Sequence, residues 1–510
     1  KIVKYAVDNY GGMIEDGLPI SVIKKYSLMP AKDAVLNAHF PESREKLDAA
    51  KKRIIFEEFF YLQYALLARK QGIKLEKAPA LKAGKVFDSV LEKLPFKLTQ
   101  AQLNVLEEIL SDLKSGRPMN RLVQGDVGSG KTVVALLASL AAIDSGYQAA
   151  IMAPTELLAS QHLRTMAAFL EGTGIRAELL LGATGAKKRA QILQSLAEGA
   201  INLIIGTHSL LVGDIKFKKL GFIVIDEQHR FGVMQRAALA EKAGERPHTL
   251  VMTATPIPRT LSLTVYGDTD ISIIDALPPG RKPVRTLLFA DNQKRELFAF
   301  IEERLKEGEQ VYAVYPLVDE SEKMDLKSAV EMHGQWQERF AGYKIALVHG
   351  RMKKEERDAA MDAFKRREIQ VLVATTVIEV GVDVPNASVM VIEHAERFGL
   401  SQLHQLRGRV GRGSAQSYCI LVGDPRTEEG FKRLGIMTST WDGFKISEED
   451  LALRGPGEFM GTRQHGLPEF KMGNIVRDRK AMEESRQAAD ELISGKCDIS
   501  HSEKEQLSRI

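Results

Sequence analysis

The stretch Gly125-Asp-Val-Gly-Ser-Gly-Lys-Thr132 constrains the fold of this chain more than any other. It lies directly after the apolar run RLVQ at Arg121 and opens the helix-forming run KTVVALLASLAAI at Lys131. Strand, glycine-rich turn and helix in that order are the setting a phosphate-binding loop requires. Glycines free the backbone N–H groups, and together with the positive helix end these cradle phosphates while a lysine reaches the terminal oxygens. Gly125, Asp126, Val127, Gly128, Ser129, Gly130, Lys131 and Thr132 therefore form a candidate ATP-type nucleotide site, with Thr132 placed to ligate Mg²⁺.

Such a loop belongs to a parallel α/β sheet, and the surrounding pattern agrees. From Arg121 to Thr253 short apolar runs (RLVQ, AAIMA, FIVID, LVMTA) alternate with longer helical ones, as in a doubly wound parallel domain. The proline-rich LPPGRKP at Leu277 to Pro283 breaks the alternation and reads as a linker. A second series follows, with expected strands RTLLF, QVYAVY, KIALVH, QVLVATT, SVMVI and SYCILV. The expected organisation is an N-terminal connector (1–85) with a long amphipathic helix between Pro41 and Gln71, two α/β lobes (86–280 and 281–425), and a helical C-terminal module (426–510).

A metal-bound nucleotide needs a second carboxylate site, and Asp226-Glu227 follows the apolar strand FIVI. Asp226 is the candidate Mg²⁺ carboxylate. Glu227, one residue on, points the other way and is the candidate general base. On its own the pair would read as an exposed acidic turn; the upstream loop changes that. Hydrolysis also spreads negative charge over the phosphoryl group, and Gln405-Leu-Arg407-Gly-Arg409-Val-Gly-Arg412 in the second lobe offers Gln405, Arg409 and Arg412 to meet it. If Arg409 and Arg412 close onto a nucleotide held at Lys131, hydrolysis opens and shuts the cleft between lobes.

The ordered set from Phe96 to Arg412 resembles the superfamily 2 helicases. By that resemblance the lobes are RecA-like P-loop NTPase domains, Thr99 and Gln102 belong to an adenine-reading motif, and Pro154, Thr155 and Thr207 contact a nucleic-acid strand. Thr253 and Thr255 resemble a coupling motif, His229 at the end of Asp226-Glu227-Gln228-His229 is a further candidate for DNA binding or coupling, and His349 matches another motif. Thr375, Thr376, Gly381 and Asp383 would meet the nucleic-acid backbone and the ATP ribose. Longer stretches, DEQHRFGVMQR at Asp226, TATPIPRTL at Thr253 and HAERFGLSQLHQLRGRVGRG at His394, closely resemble the RecG family of bacterial branched-DNA translocases. The tail ISEEDLALRGPGEFMGTRQHGLPEF at Ile446 resembles that family's translocation hairpin, which gives weight to Arg454, Arg463 and Gln464. The resemblance implies ATP-dependent remodelling of forks and four-way junctions in DNA repair and recombination. It also implies a wedge domain of oligonucleotide-binding fold at the branch point, and nothing before Pro41 reads as a complete five-stranded barrel.

Composition sets the bounds. A net charge of +4 is only mildly basic, so DNA contact must come from local patches. Cys419 and Cys497 form no metal-ligating or disulfide pattern, which fits a reducing cytoplasm, and the family resemblance implies that of a bacterium with the protein at its nucleoid. The longest apolar run, Val133 to Ile143, is too short for a membrane span, so no membrane partner is expected. The first residue, Lys1, is read as a boundary. A monomer is the default, with contact to a single-stranded-DNA-binding protein left open. The rival readings are a transcription-repair translocase, an RNA helicase, and an ATP-gated nucleic-acid-binding protein without motor activity.

Overall fold

The structure is a computed structural model that describes residues 2–74, 76–211, 215–227, 245–258, 269–276, 282–316, 322–375, 387–411, 413, 415–460, 470–475, 477–497, 499–500, 502–503 and 507. The chain forms two compact units. One gathers Lys1–Glu76, Ile257–Asp270 and Arg454–Ile510; the other comprises Lys77–Pro256 and Ile271–Leu453.

Elements are numbered along the chain. Helices α1 (Ile2–Tyr10), α2 (Ile20–Lys25), α3 (Ala31–His39) and α4 (Arg44–Lys74) are followed by α5 (Lys85–Lys93) and α6 (Gln100–Lys114). The first sheet is built from β1 (Asn120–Gly125), β2 (Gln148–Met152), β3 (Ala177–Leu180), β4 (Leu203–Gly206), β5 (Leu220–Asp226), β6 (His248–Thr253) and β7 (Asp270–Ile274), with helices α7 (Lys131–Asp144), α8 (Glu156–Leu170) and α9 (Ala186–Glu198) between strands. The second holds β8 (Arg285–Phe289), β9 (Gln310–Tyr315), β10 (Ile345–Val348), β11 (Val371–Thr375), β12 (Ala387–Ile392) and β13 (Tyr418–Val422). Its helices are α10 (Lys294–Lys306), α11 (Glu322–Arg339), α12 (Lys354–Lys365) and α13 (Leu400–Arg407), followed by α14 (Glu428–Ser439), α15 (Gly443–Met460) and α16 (Arg479–Ile493).

The strand orders are β3-β4-β2-β5-β6-β1-β7 and β10-β11-β9-β12-β13-β8. Pairing is parallel from β3 through to β1 and throughout the second sheet. Parallel strands covered on both faces must be apolar throughout, and β2, β5, β9, β11 and β12 are buried along their whole length. The apolar run read in the sequence as too short for a membrane is α7, buried from Val133 to Ile143 beneath the first sheet. No helix among the described residues is long and apolar enough to cross a membrane.

Register explains where chemistry can collect. Gln124 pairs with Thr253, and Asp226 with Met252, so β5, β6 and β1 end side by side. The loops after adjacent parallel strands meet at their carboxyl edge, the usual ligand crevice of such sheets.

The helical unit joins segments that read separately in the sequence. On α4, Phe56, Phe60 and Leu67 share one core with Ala488, Ala489 and Leu492 of α16, while Phe59 packs with Met482 and Ile475. Glu58 accepts hydrogen bonds from the backbone N–H groups of Lys471, Met472 and Gly473 at 2.9, 3.2 and 2.9 Å. Arg53 of α4 is fully buried, donating to Asp16 at 2.5 Å and to Glu57 at 2.7 Å. Asp16 also accepts from the N–H groups of Leu18 and Ala31, so it ties the loop before α2 to α4. Asp16→Ala should lower stability by about 1.5–3 kcal/mol, the size of a lost charge-assisted hydrogen bond beside a buried guanidinium. Thermal melting of the helical unit's near-ultraviolet signal reads this; an unchanged midpoint would show that Glu57 alone satisfies Arg53.

Candidate active site

The phosphate loop turns from β1 into α7 through Gly130 in the left-handed region, φ +86°. A Cβ there would lie 2.1 Å from Gln102 Nε2, so only glycine fits. Gln102 is brought in by the capping box of α6: Thr99 Oγ1 accepts from the Gln102 N–H, and the Thr99 N–H donates to Gln102 Oε1. Gln102 Nε2 then donates to the Ser129 carbonyl at 2.8 Å. The glutamine read as a base-contacting residue thus also braces the loop, with both ends of its amide engaged.

Lys131 is buried, and its ammonium donates to the carbonyls of Gly125 at 2.6 Å and Asp126 at 2.9 Å. Asp226 ends β5. Burial works against its charge, but a 2.8 Å hydrogen bond to His162 Nε2, the charge of that ring and Lys131 outweigh it and hold the carboxyl below its ordinary range. Glu227 follows with φ +56°, uncommon for a residue with a side chain. Burial, then repulsion from Asp226, pushes its carboxyl up to about 7, against the pull of Lys131, the Ala254 N–H and Arg409. A base poised near neutrality is suited to accept a proton.

Two of those influences come from other motifs. The Ala254 N–H donates to Glu227 Oε1 at 3.3 Å from within Thr253-Ala-Thr255, whose hydroxyls lie 2.9 Å apart. Arg409 comes from the second lobe, just beyond α13, which carries half-buried Gln405. Lys131, Asp226, Glu227 and Arg409 are therefore gathered at one place from two sheets. Beside the loop lies a mostly apolar cavity of about 700 Å³ lined by Phe96, Gln102, Gly130, Thr132, Val133 and Phe169, roomy enough for a nucleobase.

The other expected residues spread along the strand ends. Pro154 and Thr155 follow β2, where Thr155 caps α8 by accepting from the Leu158 N–H. Thr207 follows β4 but is buried, leaving neighbouring His208 exposed. His349 follows β10, half-buried, and its Nδ1 accepts from the Arg351 N–H. Thr375, at the end of β11, is buried. His229, Thr376, Gly381, Asp383, Arg412, Arg463 and Gln464 lie outside the described residues, as does the side chain of Arg454.

His162 and His404 are not among the residues that the sequence motifs single out. His162 stands on α8 against Asp226, and His404 on α13 bonds Asp126. The helical spacing that places each toward the sheet edge is visible in the sequence; the partner, 64 or 278 residues away, is not.

Two parallel-sheet lobes, with a phosphate loop and an Asp-Glu pair on one and an arginine-bearing helix end on the other, define the core of a superfamily 2 helicase. Three family models match in order: DEAD/DEAH box helicase over residues 99–264, helicase conserved C-terminal domain over 293–414, and the C-terminal part of domain 3 of ATP-dependent DNA helicase RecG over 440–509. The chain belongs to the RecG family. It is 50% identical over 483 residues to ATP-dependent DNA helicase RecG of Synechocystis sp., covering 94% of this chain and 58% of that protein. It is 48% identical over 498 residues to the Streptococcus pneumoniae RecG, covering 97% and 74%. A solved structure of RecG bound to a three-way DNA junction superposes with a TM-score of 0.73 at 43% identity, over 94% of this chain and 64% of that one. The Mycobacterium smegmatis helicase Lhr, at 18% identity and a TM-score of 0.52 over 69% of this chain and 50% of that one, shares the fold alone. The chain thus spans 58% to 74% of the length of these relatives.

Proposed function

We propose that this chain is the motor of an ATP-dependent translocase on duplex DNA that remodels branched DNA, regressing forks and migrating four-way junctions. The observation that carries the reading is that the phosphate loop is joined to α13 of the second lobe, through Asp126 and His404, with Arg409 within electrostatic reach of Glu227. Residues 86–280 and 281–425 are the two lobes of that motor, and residues 426–510 carry its stroke to DNA. The solved relative held on a three-way junction supports a branched substrate.

The residues present fit ATP and Mg²⁺. The Thr132 hydroxyl and the charged Asp226 carboxylate are hard oxygen donors and would hold the ion, which neutralises phosphate charge when bound. Glu227 accepts the proton of the attacking water, and Ala254 orients it. Lys131, Arg409 and Arg412 offset the charge that develops on the phosphoryl group. The DNA side is assigned to Pro154, Thr155, His208 and His349 with the tail residues Arg454, Arg463 and Gln464.

The test is ATP hydrolysis with no nucleic acid, linear duplex, a model fork, a three-way junction and RNA. Stimulation by branched or duplex DNA supports the reading. Stimulation by RNA alone overturns it in favour of an RNA helicase, and nucleotide-dependent DNA binding with no turnover favours the gated-binding alternative. Binding should also be steeply salt-dependent and nearly indifferent to sequence, because phosphate contacts dominate. With six or more phosphates neutralised, affinity should fall by roughly 10³-fold between about 50 and 200 mM salt. Fluorescence anisotropy on two forks of unrelated sequence measures both properties; strong preference for one sequence would count against the proposal.

A further inference from the structure

The phosphate loop is tied to the second lobe by a side chain one residue ahead of the Gln405–Arg412 run. His404 stands on α13 with 6% of its side chain exposed. Its Nε2 lies 2.6 Å from Asp126 Oδ1, inside the phosphate loop, and its Nδ1 lies 2.9 Å from Arg407 Nη2. A guanidinium can only donate, so Nδ1 must accept, and the proton of a neutral ring is on Nε2, donated to Asp126. The tautomer follows from the network.

Both ends of this contact lead further. The Asp126 carbonyl accepts from the Lys131 ammonium at 2.9 Å, and its carboxylate accepts from the Val127 N–H as well as from His404. Arg407 is buried and donates to the carbonyls of Met437 at 3.1 Å, Thr440 at 2.8 Å and Trp441 at 3.0 Å. The first belongs to the last turn of α14 and the other two lie between α14 and α15, where the match to the RecG domain 3 model begins. The seam around the contact is close: a Cβ on Gly408 would lie 2.7 Å from Val127, and the remaining gap of about 40 Å³ holds little more than a water. An unbroken chain of hydrogen bonds thus runs from Lys131 through Asp126, His404 and Arg407 to the backbone entering α15.

We propose that His404 is a positioning residue that couples the phosphate loop to the second lobe and to the segment leading into α15. It touches no reacting atom. Drawing the Lys131 ammonium onto phosphate releases the Asp126 carbonyl, lets the loop turn, and alters the grip of its carboxylate on His404. Through Arg407 that change reaches residues 437–441. This rests on the motor reading, since coupling has meaning only where nucleotide and DNA both bind.

The experiment measures coupling by binding, not turnover. The affinity of the whole chain for a fork is determined with and without a non-hydrolysable ATP analogue, and the ratio of the two is the coupling factor. In His404→Ala that ratio should collapse toward one from about tenfold, an ordinary size for coupling between sites. DNA-independent hydrolysis should persist with an unchanged KM for ATP while DNA stimulation of kcat is lost. His404→Gln, which can still donate to Asp126, should restore most of the ratio, and Asp126→Ala should remove it from the other side. Retention of the wild-type ratio in either alanine variant, with melting as in wild type, overturns the proposal. If His404→Ala melts early, the ratio in Asp126→Ala and the rescue by His404→Gln decide. Absence of any coupling or DNA stimulation in the wild-type chain would instead refute the motor reading itself.

Discussion

Lys131→Ala should abolish DNA-stimulated ATP hydrolysis, by about 10³-fold or more in kcat, measured by phosphate release on a model fork. The loss has two parts. The ammonium is the cation best placed to meet the terminal phosphates, and it is already buried where its field is least screened. It is also among the charges that hold both Asp226 and Glu227 toward their ionised forms. Removing it therefore weakens phosphate binding and raises the affinity of the candidate base for its proton. Folding should survive, because water can take the place of the ammonium at the loop carbonyls of Gly125 and Asp126. Residual hydrolysis within about tenfold of wild type would move phosphate recognition off this loop.

Glu227→Gln should cut kcat by about 10²- to 10⁴-fold while ATP and fork binding stay near wild type. The amide has the same shape and can keep the hydrogen bond from the Ala254 N–H through its oxygen. It cannot take a proton from water. Because burial and the neighbouring Asp226 charge both disfavour the ionised carboxyl, the neutral amide should also melt no lower than wild type. Single-turnover hydrolysis separates this from a binding defect. A variant that hydrolyses ATP at a normal rate would assign the base elsewhere, and one that fails to bind ATP would make Glu227 a structural brace.

Much of this was legible in the sequence because it is written in local patterns. The glycine spacing marks the phosphate loop, and the apolar runs at FIVID, QVYAVY and SYCILV became β5, β9 and β13. Short strands are less legible: β3, β4 and β7, each four or five residues long, do not stand out from the sequence pattern. Long-range partners left no trace at all. His162 looks like one more residue on an amphipathic helix, and only the fold, which brings α8 to the end of β5, sets it against Asp226. The family resemblance sets Thr207 against a DNA strand, yet in the turn after β4 this residue is buried. The connector and the tail, so different in composition, share a core because the apolar faces of α4 and α16 match, a property of neither segment alone.

That shared core has a consequence for how the protein is made. Gln63 on α4 meets Met482 on α16 across 419 residues of chain. At roughly 5–20 residues per second, a ribosome needs on the order of 20 to 80 seconds to deliver the second half of that contact after the first. Throughout that interval Phe56, Phe59 and Phe60 lack the cover they have in the finished molecule, while each α/β lobe can close its own sheet as it emerges. Helix α4 is thus among the last parts of this chain to become native, and a nascent chain stalled before Arg479 presents an aromatic helix to the cell's chaperones and proteases.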